Sequence, residues 1–369
     1  MRIAVIVSSN IVKDPRVMKQ SEIVSELTDD YIIIGKKDEN ATKERLSKIN
    51  FNYKLINTKA SNNIIGKAIT RLSFGLKLIN HLKKFNPDVI HANDFDMLFF
   101  AYFVKKKNQN LIYDAHEIYA KNGMISKVPL LSKIIVMLEK HMMKKVNHFV
   151  TVSNAAKEYY QSKGYKLEPV VITNAPIKRE FQKLEKNKKF EAIYQGIVSE
   201  GRGYEEFAES ARYTDAQVTI RGYGPTMGKI SDIKNKYSLE NLKIEDPVEM
   251  DEMIRAASRS HVGIVMTKPI SENYEYTVSN KLFEYLHAGI PVILSPVKEH
   301  IYLNDIYDFG LIVDKITPDE IGKAISYLKD NIEIYNTKQR NAVKASEIFT
   351  WQNESKKLNN IYKGNSNEE

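Results

Sequence analysis

The chain has 369 residues, 43% hydrophobic and 27% charged, a balance that suits two packed domains and excludes disorder, collagen and coiled coil. With no cysteine, it has no disulfide framework, no thiolate-held zinc or iron–sulfur centre and no thiol nucleophile, and it suits a reducing cytoplasm. A net charge of +9 favours a polyanionic partner: nucleic acid, an anionic membrane surface or phosphorylated small molecules.

The opening apolar run, residues 1–7, is too short for a signal peptide's core and reads as a first buried strand at 3–7. Further strands are expected near residues 31–34, 89–92, 111–113, 149–152 and 170–172, alternating with helices near 16–27, 66–85, 98–106, 131–145 and 155–164. After a Lys-rich segment at 182–189 the pattern restarts, with strands near 191–194, 218–220, 242–244, 262–266, 291–294 and 311–313. This alternation predicts an α/β protein with parallel sheets, and two doubly wound sheets suit its length better than one. The turn Asn174-Ala175-Pro176 and the polar residues after it mark the linker. The expected domains are therefore 1–175, 176–348 and a terminal helix with a polar tail at 349–369. No stretch reaches the roughly 20 apolar residues of a spanning helix.

Ligands of open parallel sheets collect beyond the carboxyl ends of the strands, so the turns there carry the functional information. The first such turn is Gly196-Ile197-Val198-Ser199-Glu200-Gly201-Arg202-Gly203. Its glycines let the backbone approach a ligand, the next helix offers free N–H groups to an anion, and Arg202 adds a cation. Standing alone, it reads equally as a turn with a solvent-facing arginine. The second turn opens a short helix with Ser279 or Asn280 at its N-cap, an apolar stripe of Leu282, Phe283 and Leu286, and a stop at Gly289 and Pro291. Its N-terminus can hold a diphosphate on backbone amides with Lys281 as counter-charge, and Glu284, one turn on, suits a ribose hydroxyl pair. The plainer alternative is a capped helix with a weak Lys281–Glu284 surface pair.

The third turn, Tyr113-Asp114-Ala115-His116-Glu117, sets three ionisable groups at a strand end, where they can meet sugar hydroxyls or handle a proton. A structural histidine is the competing reading. The fourth, Arg221-Gly222-Tyr223-Gly224-Pro225, is similar to a nucleotide-approach loop. Asp94-Phe95-Asp96 has the spacing of a metal-holding Asp-x-Asp pair, but it stands beside His91-Ala92-Asn93, away from the basic turns, and reads as a loop or capping element.

Together these turns resemble glycosyltransferase family 4 over nearly the whole chain. Asp14-Pro15-Arg16-Val17, Asp88-Val89-Ile90-His91, Thr151-Val152-Ser153 and Ile172-Thr173-Asn174 complete the set of landmarks. The resemblance implies the GT-B fold: two Rossmann-like domains facing a cleft, with residues 355–362 on a last helix that crosses back to the N-domain. It implies a retaining hexosyltransferase that needs no metal or other cofactor and moves a sugar from a nucleotide diphosphate sugar, UDP-sugar favoured. The acceptor would be a hydroxyl of a cell-surface glycan, glycolipid or glycoprotein precursor. The donor site it implies is Gly196, Arg202, Gly203, Gly222, Tyr223, Val248, Val278, Ser279, Asn280, Lys281 and Glu284. His116, Arg202 and Lys281 take the catalytic roles, and Arg16, His91, Asp94 and Glu117 fall on the acceptor side. Two positions depart from the family pattern: Tyr276 stands where its first motif glutamate is expected, with Glu275 one place away, and Ile197 stands where an arginine is usual.

Residues 66–84 carry Lys67, Arg71, Lys77, Lys83 and Lys84 with no acidic residue, and residues 127–145 pair five lysines with Ile134, Ile135, Met137, Leu138, Met142 and Met143. Basic amphipathic stretches of this kind can lie on anionic lipid, which would put the protein in the cytoplasm and peripherally on the inner membrane face. Core helices with solvated lysines are the alternative. A sugar-nucleotide 2-epimerase of the same fold is the rival enzyme. A nucleic-acid-binding module lacks a helix-turn-helix or an aromatic platform here, so no nucleic acid is expected as partner. A nicotinamide dehydrogenase would need a glycine fingerprint where Ser8-Ser9-Asn10-Ile11 stands.

Overall fold

The computed structural model describes residues 1–39, 41–47, 49–58 and 63–364. The polar tail at 365–369 and the side chain of Lys67 lie outside the described residues. The chain divides into two compact units, one of Met1–Val152, Ala156–Ile172 and the residues from Ser355 onward, the other of Ser153–Ala155 and Thr173–Glu354.

The first unit is built on strands β1 (Ile3–Ile6), β2 (Tyr31–Lys36), β3 (Tyr53–Ile56), β4 (Val89–Asn93), β5 (Asn110–Ala115), β6 (His148–Thr151) and β7 (Val170–Val171). They lie in the order β3-β2-β1-β4-β5-β6-β7, and every pair is parallel. Helices cover the sheet, so its central strands β1 and β4 are buried along their length, and each opens with an apolar run. β3 has no counterpart among the predicted strands. It is an edge strand whose Tyr53 and Lys54 face solvent, so it lacks the apolar run by which buried strands are recognised. The helix Asp94–Val104 begins directly after β4, earlier than its apolar residues suggest, because Asp94 takes a left-handed φ of 67° and turns the chain without a loop. From Ser355 onward the last helix buries Leu358, Ile361 and Tyr362 in this unit.

The second unit carries β8 (Glu191–Ile197), β9 (Gln217–Tyr223), β10 (Leu242–Glu245), β11 (Val262–Val265), β12 (Val292–Leu294) and β13 (Gly310–Ile312), parallel in the order β10-β9-β8-β11-β12-β13. One core cluster lies under Tyr204, Phe207 and Ile325, the other under Leu282, Phe283 and Leu286. The second anchors the apolar stripe of the helix Asn280–Ala288 and fixes where that helix starts.

Candidate functional site

In the second unit the end of β8 and the start of the helix Asn280–Ala288 meet. Gly196 has φ 117°, and a β-carbon on it would lie 2.7 Å from Cε and 3.1 Å from Nζ of Lys281. Gly222, paired with Gly196 in the β8–β9 register, has φ 152°, and a β-carbon there would lie 1.9 Å from the Gly196 carbonyl oxygen. Both positions thus need glycine: one for the approach of Lys281, the other for the approach of a neighbouring backbone. The backbone here is pinned from behind. The Gln195 N–H donates to the Tyr285 hydroxyl at 2.9 Å, and the Tyr204 hydroxyl donates to the Gln195 carbonyl at 3.1 Å.

Gly203, at φ 63°, is the N-cap of the helix Tyr204–Glu209, and the neighbouring Arg202 places its guanidinium 4.9 Å from the ring centre of Tyr274. Burial lowers the Lys281 ammonium to about 8; Glu284 opposes that shift and Arg202 adds to it. Arg202, Lys281 and Glu284 therefore share one electrostatic neighbourhood. Ser279 occupies the N-cap position in an extended conformation, but its side chain makes no capping bond. Asn280 is exposed, and Val278 packs against the apolar core. Tyr223 ends β9 with 60% of its surface exposed, and Val248 is exposed in the segment after β10. At the position expected to hold a glutamate, the Tyr276 hydroxyl accepts from Lys298 Nζ at 3.0 Å, and that ammonium lies 4.3 Å from the ring centre.

The first unit gathers a second constellation at the ends of β4 and β5, which the register Asn93↔Asp114 sets level. Asp114 is fully buried and takes a bidentate bond from Arg16, with Nε and Nη2 at 2.9 and 2.8 Å, and another from Gln20 Nε2 at 2.6 Å. Burial works against the charge of Asp114, but Arg16 and His116 hold its carboxyl well below the usual range. Arg16 is placed by Asp14, which caps the helix Pro15–Leu27, and its Nη1 donates to the Ile172 carbonyl at 2.7 Å. His91 is also fully buried. Its Nδ1 meets the Tyr362 hydroxyl, its Nε2 lies 3.5 Å from Asp114, and burial lowers its pKa.

His116 is the member of this group with a part-exposed ring. Its Nε2 lies 2.9 Å from Asn93 Oδ1 and 3.6 Å from Asp114, and its Nδ1 lies 3.5 Å from Asp94. Burial opposes its charge, but Asp94 and Asp114 outweigh burial and lift it to about 9. Loss of water around the Asp94 carboxyl pushes that group up to about 7, against the pull of His116. Asp94 also accepts the His116 N–H at 3.0 Å, while Asp96 turns to Ser8 and Arg71. The two carboxylates of the Asp-x-Asp pair thus serve different partners. Glu117 accepts a bond from the Asn122 side-chain amide.

Arg16 and His91, expected on the acceptor side, are therefore buried around Asp114. Gln20, Asn93, Tyr274 and Lys298 belong to these constellations but carry no local motif. Only the three-dimensional juxtaposition brings them forward.

Residues 41–180 match the model of Glycosyltransferase Family 4. Among curated proteins none matches the chain. Among solved structures, HepE of Anabaena in complex with UDP superposes with a TM-score of 0.75 at 13% identity, covering 99% of this chain and 100% of that one. Sucrose-phosphate synthase of Thermosynechococcus elongatus does so with 0.75 at 14%, covering 99% and 98%. A putative UDP-N-acetylglucosamine 2-epimerase of Listeria monocytogenes is similar at 0.65 and 11%, covering 99% and 97%. These likenesses establish the fold: the chain has the GT-B architecture of two parallel-stranded α/β units, and its residues 41–180 match Glycosyltransferase Family 4.

Proposed function

We propose that the enzyme takes a nucleotide diphosphate sugar, by preference a UDP-sugar, and transfers the sugar with retention and without a metal. The acceptor we propose is a hydroxyl of a cell-surface glycan, glycolipid or glycoprotein precursor at the cytoplasmic face of the membrane. One observation carries the reading: a half-buried lysine, Lys281, is held against a bare glycine at the end of β8, with Arg202 in the same electrostatic neighbourhood. A diphosphate would neutralise both cations and accept the amides at the start of the helix Asn280–Ala288. Glu284 then takes the ribose hydroxyls, while Gly222, Tyr223 and Val248 border the nucleotide. The UDP bound to HepE supports uracil as the base.

In this mechanism the acceptor oxygen bonds to the anomeric carbon on the face from which the phosphate oxygen leaves, and the acceptor proton passes to that leaving oxygen. Arg202 and Lys281 favour the charge that grows on the diphosphate in the transition state. His116, held as an imidazolium, donates hydrogen bonds and does not abstract the proton. Asp114, Arg16 and His91 position it.

The test is a thermal-shift panel of nucleoside diphosphates and diphospho-sugars, with and without EDTA, on the wild type, Arg202→Ala and Lys281→Ala. A UDP-family shift that survives EDTA and is lost in both variants is expected. Stabilisation only with metal, or shifts untouched by the variants, would sink the donor site. Release of an epimerised UDP-sugar without any acceptor would favour the epimerase chemistry associated with this fold.

A further inference from the structure

Among the described residues no helix is long and apolar enough to cross a membrane, yet one helix layer of the first unit is apolar on its outside. In the helix Pro129–Met142, Leu130 and Met137 are each 69% exposed, with Ile134 and Leu138 exposed beside them. These positions recur at helical spacing, so the stripe faces solvent along the whole helix. Its one carboxylate, Glu139, points the other way: it is buried and bonded by the hydroxyls of Tyr113 and Tyr165. The helix is thus inverted, with its acid inside and its leucines outside.

The pattern continues across the layer. The helix Asp94–Val104 packs against both Pro129–Met142 and Ile64–Phe85. It exposes Phe103, and the helix Ile64–Phe85 exposes Ile69, Leu72 and Leu76 at i, i+3 and i+7. Helix Ile64–Phe85 has no acidic residue, and the two acids of Asp94–Val104 are engaged by His116 and by Ser8. Lys83, Lys84, Lys127, Lys133 and Lys144 are exposed on and beside these helices.

We infer that the outward faces of the helices Ile64–Phe85, Asp94–Val104 and Pro129–Met142 form a docking surface for an anionic lipid bilayer. Scattered apolar residues on a surface need no partner, but a stripe sustained over neighbouring helices does. An occupant must match both signals, apolar in its interior and negative at its rim, with no demand for a carboxylate on this side. A bilayer with acidic headgroups does so: the leucine and methionine side chains enter the acyl boundary while the lysines meet the headgroups. The inference deepens the membrane side of the function proposed above, but donor binding and lipid binding are read by separate measurements, so either can fail alone.

The experiment is flotation of the full chain with vesicles of phosphatidylcholine alone or mixed with phosphatidylglycerol. Two double variants are compared with the wild type, Leu130→Gln with Met137→Gln and Lys133→Glu with Lys144→Glu. All four side chains are exposed, so the variants keep the wild-type melting temperature and UDP shift. The wild type is expected to float with the mixed vesicles and not with phosphatidylcholine alone, and each double variant is expected to lower the bound fraction about tenfold or more. The surface is wrongly assigned if the wild type stays unbound with both vesicles. The same holds if only the charge variant loses binding, which would mean unspecific adsorption. It is also wrongly assigned if light scattering finds a dimer that Leu130→Gln with Met137→Gln dissociates, since the stripe would then cover a second copy of the chain.

Discussion

Lys281 occupies the space that a side chain at residue 196 would need: its ε-carbon lies 2.7 Å from where a β-carbon on Gly196 would stand. A strand end and a helix start 85 positions apart in sequence thereby meet in one feature, a lysine laid across a glycine. A side chain at 196 would therefore have to displace the end of Lys281.

Gly196→Ala and Gly222→Ala should fail in different ways. At 196 the obstacle is the flexible end of Lys281, which can swing aside, so the fold survives and the ammonium is displaced from the turn. Losing one charge-assisted contact costs about 1.5–3 kcal/mol, or roughly 10- to 100-fold in UDP affinity, with a modest fall in melting temperature from the positive φ. At 222 the obstacle is the backbone of Gly196, 1.9 Å away, which cannot move alone. Gly222→Ala should destabilise the second unit by on the order of 3 kcal/mol. Thermal melts with a UDP titration distinguish the two, and equal melting temperatures for both variants would refute the distinction.

UDP binding should take up a proton at alkaline pH. Burial brings Lys281 down to about 8 in the unliganded protein, so above that pH much of it is neutral. A bound diphosphate favours the ammonium and raises its pKa, so affinity falls as pH climbs from about 8 towards the ordinary lysine value of 10.5. The stability of the unliganded chain moves the other way: the unfolded state holds more protons in that window, so Lys281's contribution becomes more favourable as pH rises. Calorimetry at pH near 9 in two buffers of different ionisation enthalpy measures the uptake, and Lys281→Met should abolish it. A pH-flat affinity with no uptake would remove Lys281 from the diphosphate.

Much of this architecture was legible because parallel strands buried on both faces must be written as Val/Ile runs. β1, β4 and β5 each carry an apolar core of such residues, and the turns after β4 and β5 held residues to watch. The helix expected from residue 16 starts at Pro15, where the Asp14 side chain accepts from the N–H groups of Arg16 and Val17 as an N-cap. What escaped depends on partners far apart in sequence. Arg16 was expected on the acceptor side as part of a landmark, yet it is committed to Asp114, 98 positions on. Neither Tyr274 beneath Arg202 nor Lys298 on Tyr276 follows from any spacing, because cation–aromatic contacts impose no local pattern. β3 escaped for the opposite reason: an edge strand can be polar outside and still pair.

Removing Asp114 should cost far more than removing Arg16 and Asp114 together. Asp114→Ala leaves the Arg16 guanidinium buried without its counter-ion, a change worth about 3–5 kcal/mol. Arg16→Met with Asp114→Leu replaces the pair by apolar groups and should recover much of that loss. Urea unfolding followed by a probe confined to the first unit gives the cycle. If the double variant is as unstable as Asp114→Ala, the pair supports the fold by more than mutual neutralisation.

His116 should titrate far above an ordinary histidine. Burial alone would depress it, but Asp94 and Asp114 on either side outweigh burial and lift it to about 9. Because the folded value exceeds the ordinary histidine value of 6.5, its stabilising contribution is complete below about 6.5 and is lost as pH rises through about 9. Selective labelling of the imidazoles, followed by NMR from acid to alkaline pH, reads the midpoint directly, and His116→Gln assigns the resonance. Asp94→Asn removes the leading cause of the upward shift and should carry the midpoint back towards 6.5, while the buried Asp114 keeps it from falling below that. A wild-type midpoint at or below 6.5 would mean that His116 is neutral at physiological pH. It could then accept a proton from an acceptor hydroxyl, and its proposed role as a hydrogen-bond donor would have to give way to that of a base.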